Sequence, residues 1–175
     1  MVSFLLFCDM FRCLEYTAFL WKAKGRHGTH SPFAYWLVDT VARQSKAVIN
    51  PEFNQISCKK TRIFASQLHA SLPDYQIHTT LNEQLDSNNE HIRPLPGIYF
   101  LSSDDLHQMK QTTAFQAFHP TSIFVLLDLH SSKTSGAWQE LVSEISMHFT
   151  ADCHYFGLFS LRPGQVKQHF YLKIT

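Results

Sequence analysis

The sequence predicts an α/β domain built on a parallel sheet, and three observations carry that expectation. "GIYFL" (97–101) and "SIFVLLDL" (122–129) are short apolar runs of the kind buried on both faces of a sheet. Each is followed by a stretch with helical spacing, 104–118 and 135–149. The chain then closes on "CHYFGLFSL" (153–161), "RPGQ" (162–165) and "VKQHFYLKI" (166–174), which together read as a β-hairpin.

In chain order, "MVSFLLFCDMFRCLEYTAFLW" comes first, with Phe4, Phe7, Phe11, Leu14 and Ala18 at helical spacing. It has no basic n-region, its apolar run from Phe4 to Cys8 ends at Asp9, and Arg12 and Glu15 interrupt any membrane span. The reading is an amphipathic helix packed on the body of the protein. Gly25 and Gly28 break regular structure, Ser31 is an N-cap, and Pro32 suits the first helical position because its missing N–H costs nothing there. Phe33, Trp36, Leu37 and Val41 form the inward face of a helix over 32–44.

A further helix is expected over 57–71, with Ile56, Ile63, Phe64, Leu68 and Leu72 inward and Pro73 as its stop. "DYQIHTT" (74–80) is a short strand, and the polar 81–96 is a loop ending in Pro94 and Pro96. After the strand 97–101, Ser102 or Ser103 caps the next helix, with Asp104 and Asp105 facing its dipole. In the helix 135–149, Trp138, Leu141, Val142, Ile145 and Phe149 point inward. The chain reads as a single domain over 1–175, with N-terminal helices in 1–45 and an α/β core in 57–175.

Composition narrows the function classes. A net charge of +1 provides no sequence-wide field for nucleic acid or an anionic membrane. Cys8, Cys13, Cys58 and Cys153 contain no C-x-x-C pair, so reduced thiols in a cytoplasm are expected.

"RHGTHSPFAYWLVDTV", which begins at Arg26, resembles the N-terminal signature of a group of bacterial class I SAM-dependent methyltransferases of the O-methyltransferase type. These chains begin with a helix, followed by an R-H-G-x-H-S-P-F element that opens a second one. The run from "GIYFLSSDDLHQ" to "GAWQELV" resembles their strand 4, D-G-x-H, strand 5 with F-D-D-I-H-W-S, and Ala-Trp helix; "YFGLFSLRPGQVKQHFYLKI" resembles their closing hairpin. The likeness covers about residues 10–45 and 97–175. It implies a Rossmann-like sheet in the order 3-2-1-4-5-7-6.

Several of the residues that would serve SAM are missing. A Gly-rich turn after strand 1 is needed for close backbone approach to the cofactor, yet no glycine occurs between Gly28 and Gly97. The segment between strand 1 and strand 4 is too short for two more strand–helix units of ~30 residues each. Ser102-Ser103 stands where the resemblance has Asp-Gly; Leu127 replaces the first Asp of strand 5, and Ser131 its Trp. The expected fold is therefore a truncated sheet of about five strands, 1-4-5-7-6, with helices on both faces and no cofactor bound.

The candidate site residues follow. Asp128 and His130 end strand 5, where α/β enzymes keep their chemistry, and Ser102 ends strand 4. The alternative for the Asp128–His130 pair is helix capping and loop ordering. His27 and His30 are three apart but lack a carboxylate or cysteine to complete a zinc site. The preferred reading of Arg26, His27, Gly28, His30, Ser31, Pro32 and Phe33 is structural, with the imidazoles and Arg26 bonding backbone carbonyls at the start of the helix.

The resulting expectation is a degenerate methyltransferase-like domain that does not bind SAM and is non-catalytic or partner-binding. Its new edge at strand 1 would pair with itself or with a full-length relative. Two rivals stand beside it. One is an active SAM-dependent methyltransferase whose site is completed by another chain; the other is a small-molecule-binding or hydrolytic site at Asp128 and His130.

Overall fold

In the computed structural model, residues 13–23, 31–43, 49–79, 95–111, 114–144, 146–162 and 166–174 are described. Six strands form one mixed sheet: β1 (Gln76–His78), β2 (Gly97–Leu101), β3 (Ile123–Leu127), β4 (Phe149–Asp152), β5 (Phe156–Ser160) and β6 (Gln168–Tyr171). Their spatial order is β1-β2-β3-β5-β4-β6. β1, β2 and β3 are mutually parallel, β5 runs antiparallel between β3 and β4, and β6 lies parallel on the outer side of β4.

The helices are α1 over 13–22, α2 (Pro32–Trp36) continuing into a π turn Leu37–Val41, α3 (Lys59–Ser71), α4 (Ser103–Gln111) and α5 (Ser135–Ser143). Side-chain alternation along the strands divides the core in two. Ile98, Phe100, Ile123, Val125, Phe149 and Leu158 pack with Phe33, Leu37, Phe64 and Leu68 of α2, its π turn and α3. Tyr99, Leu101, Phe124, Leu126 and Phe159 pack on the other face with Leu106 of α4 and Trp138 and Leu141 of α5. The chain is thus α/β with helices on both faces of the sheet.

Local signals explain most of the elements. The Ser31 hydroxyl accepts the Ala34 N–H at 3.4 Å, and Pro32 occupies the first turn of α2 as expected. Phe33 is buried, edge-on to Phe149 with centroids 4.8 Å apart. Ser102 caps α4 reciprocally with Asp105: its hydroxyl accepts the Asp105 N–H at 3.2 Å, while Asp105 Oδ2 accepts the Ser102 N–H at 2.8 Å.

The structure corrects several expectations. The helix expected over 135–149 ends at Ser143, and 149–152 form β4. Phe149, expected beside Trp138, lies in the core on the opposite face of the sheet. In a strand of only four residues that follows an amphipathic helix, Phe149 continues the helical period by coincidence. The expected hairpin of 153–161 with 166–174 does not form, and the strand order differs accordingly. Both sides of β5 are taken, by β3 and by β4 through the turn at Cys153–Tyr155, so β6 pairs with the free side of β4.

The helix expected over 104–118 stops at Gln111 and resumes as a 3-10 turn at Ala114–Ala117. In α1, Leu14 is 57% exposed and Ala18 is also exposed; Phe19 is the residue that packs. The expected loop over 81–96 lies outside the described residues except for Leu95 and Pro96. Among the described residues, no helix is long and apolar enough to cross a membrane.

Candidate functional site

The strand order brings the carboxyl end of β3 beside the β4–β5 turn. Leu127 pairs with Phe156, and Asp152 with Gly157 one strand further. After β3 the chain reverses at Asp128, whose φ of 50° is left-handed, and Leu129 plugs into the core at 1% exposure. The loop is fixed by the Ser131 N–H donating to the Asp128 carbonyl at 2.9 Å and by Ser131 Oγ, which lies 2.8 Å from Thr134 Oγ1. With Leu129 anchored inward, His130 is left at the surface of the cleft.

The facing turn holds a second Asp-x-His. Asp152 ends β4, and its Oδ1 accepts the His154 N–H at 2.7 Å, steadying His154 at a φ of 68°. A histidine tolerates this left-handed geometry better than a branched residue would. His130 Nε2 lies 3.6 Å from the same Asp152 oxygen, an ion-pair distance beyond hydrogen-bond reach. The Asp152 side chain is only 8% exposed and that of His130 36%, so the carboxylate is the fixed member and the imidazole the accessible one. The His130 and His154 rings are 5.1 Å apart between centroids.

The electrostatics follow from this arrangement. Interaction with Asp152 raises His130 above the ordinary imidazole range, against the opposing pull of partial burial. Burial lowers His154, and the neighbouring charge of His130 adds to that. His169, with Nδ1 2.9 Å from Thr150 Oγ1, is also lowered by burial. Burial pushes the Cys153 thiol up, so it stays protonated and unreactive.

Two cavities flank His130. One of about 890 Å³ is lined by Ser102, Asp128, His130, Ser131, Lys133 and His154, among others. The other, of about 350 Å³, runs between Lys22, His130, Trp138, Asp152, His169 and Tyr171. Glu15 of α1 lines both. Ser102, Asp128 and His130 therefore share one cavity, but the carboxylate paired with His130 is that of Asp152. Asp128 is exposed, and its carboxylate has no ion-pair partner among the described residues.

Of the N-terminal signature, Ser31, Pro32 and Phe33 form a helix start, whereas Arg26, His27, Gly28 and His30 lie outside the described residues. Among the described residues, no group of three His, Cys, Asp or Glu side chains could hold a metal ion. The chemistry available is a carboxylate-oriented imidazole, able to hold or pass a proton near neutral pH.

Sequence reasoning missed Asp152, His154 and Glu15. The available signal was the repeated Asp-x-His spacing, at 128–130 and again at 152–154. In comparisons with protein-family models, curated proteins and solved structures, the chain gives no significant match.

Proposed function

We propose that this chain is a shortened class I methyltransferase-like domain that does not use SAM and works by binding a partner rather than by catalysis. The observation carrying the reading is the junction of β1 and β2. These two strands are parallel neighbours, Gln76 opposite Gly97, and the chain between them is only residues 79–96. That length accommodates one crossover but not the two further strand–helix units of a full SAM cleft. No glycine lies between β1 and Gly97 to let a backbone approach the methionine part of SAM.

The far side of the sheet fits the reading once the closing hairpin is reassigned from 153–161 with 166–174 to β4 with β5. In a 1-4-5-7-6 sheet with its last two strands joined as a hairpin, the final strand lies antiparallel between strands 5 and 6. β5 lies antiparallel between β3 and β4, and β4 and β5 are joined by a short turn. On this reading β6 is an addition at the outer edge. Calorimetric titration with SAM and with its demethylated product tests the proposal. No binding tighter than about millimolar is expected, and a micromolar dissociation constant overturns it.

A second reading, a small-molecule or hydrolytic site, is favoured by the cavity that Ser102, Asp128 and His130 share and by Asp152 behind His130. It requires that any ligand binding or turnover disappear in His130→Ala; turnover unchanged in that variant excludes it.

A further inference from the structure

Helix α1 lies along the cleft just described. Cys13, Glu15 and Tyr16 line the larger cavity, and Glu15, Ala18, Phe19 and Lys22 the smaller. Among the described residues, its hold on the sheet is narrow. Phe19 is buried, Tyr16 is half-buried, and both press on the ring of His154, with centroids 5.2 and 4.7 Å away. Tyr155 and Tyr171 add contacts at 6.4 Å at the margins, and Lys22 sits 5.4 Å over Tyr171. The other large apolar side chains of α1 contribute little: Leu14 is 57% exposed and Trp21 93%.

We propose that α1 is an acid-released cover over the strand-end cleft, held by the neutral ring of His154 and let go when that ring takes a proton. The half-buried ring is flanked by Tyr16, Phe19 and Tyr155, and its buried Nδ1 has no hydrogen-bond partner among the described residues. An imidazolium needs an acceptor for each N–H, and this pocket has none at Nδ1.

The charged groups around His154 pull in both directions. Asp152 of β4 and Glu15 of α1 favour the proton, while His130 of the β3–α5 loop and Lys60 of α3 oppose it. The rings of Tyr16 and Tyr155 also face it. Burial outweighs the carboxylates and holds His154 below the ordinary imidazole range. His130 takes the first proton because Asp152 pairs with it, and that charge then stands 5.1 Å from His154.

The direction of the response follows. With α1 seated, burial holds His154 below the ordinary imidazole range; lifting α1 removes part of that burial and lets the ring take a proton more readily. As pH falls, the lifted form binds the proton first, so acid favours release. The turn itself keeps its shape, because the hydrogen bond from the His154 N–H to Asp152 is made by the backbone and not by the ring.

The test is amide hydrogen exchange of residues 14–22, corrected for intrinsic rates, at pH 7.5 and 5.0. The wild type should lose protection at the lower pH. His154→Phe, which keeps a ring for Tyr16 and Phe19 but cannot titrate, should show no such loss. Because Phe is strained at a left-handed φ, a second measurement is made on the wild type alone: histidine titration by NMR. His154 should titrate below His130. Protection in α1 that ignores pH, a pH response that survives in His154→Phe, or His154 titrating at or above His130 would each overturn the proposal.

Discussion

Trp138 and Gly157 test the packing of α5 on the sheet as a pair. Trp138 is 6% exposed and shares its core with Leu129, Leu141, Met147 and Phe159. The indole fits because β5 has no side chain at position 157: a Cβ there would lie 2.8 Å from Trp138 Cζ3 and 3.0 Å from Leu129 Cδ1. Trp138→Ala empties this space and should cost ~3–5 kcal/mol, the range for losing a large buried aromatic. Gly157→Ala forces the ring to move and should cost ~1–3 kcal/mol by overpacking. In the double variant the added methyl enters the space left by the indole. Its total cost should therefore fall short of the sum of the single costs by ~1 kcal/mol or more. Urea unfolding of the four proteins measures this cycle. A Trp138→Ala cost below about 1 kcal/mol, or strict additivity of the two changes, would refute the contact.

Two other predictions concern the sheet edge and the histidine pair. Among the described residues β1 is an outer strand of three residues paired only with β2, so self-association through that edge should appear by light scattering near 100 µM, where ~5 kcal/mol of pairing is visible, and should weaken in Ile77→Pro. A strictly monomeric wild type at that concentration rules the pairing out. Asp152→Asn keeps an acceptor for the His154 N–H but removes the charge that raises His130. Because His130 is raised in the folded state, its pairing stabilises below about pH 6.5 and is lost as pH rises through the raised value. The stability lost in Asp152→Asn should thus be larger at pH 6 than at pH 9; an equal or larger loss at pH 9 contradicts the assignment.

The sequence made the strands with strong local signatures legible. β2 and β3 are apolar throughout and bounded by polar caps, and α3 carries its apolar face at helical spacing up to Pro73. What it hid was pairing. "RPGQ" is a sound turn signal, yet whether a turn makes a hairpin depends on which strand sides are free, and β5 has none left after β3 and β4. β4 was missed because four residues cannot establish a period of two against the helical run before them.

The site was half visible for the same reason. His130 was recognisable from its place at the end of a central strand. Its partner Asp152 lies 22 positions further on, and reaches it only because β5 turns back between β3 and β4. His154 and Glu15 depend in addition on how α1 seats, which the exposed Leu14 and Ala18 show is not decided by its apolar periodicity.

We propose that the β1–β2 junction, which spans only residues 79–96 and has no glycine before Gly97, leaves no place for SAM. Calorimetry on the purified chain, with SAM and separately with its demethylated product titrated to a few times 1 mM, addresses it directly. No saturable heat is expected from either ligand, corresponding to less than about 4 kcal/mol of binding free energy. A saturable isotherm with a micromolar dissociation constant for either one would contradict it.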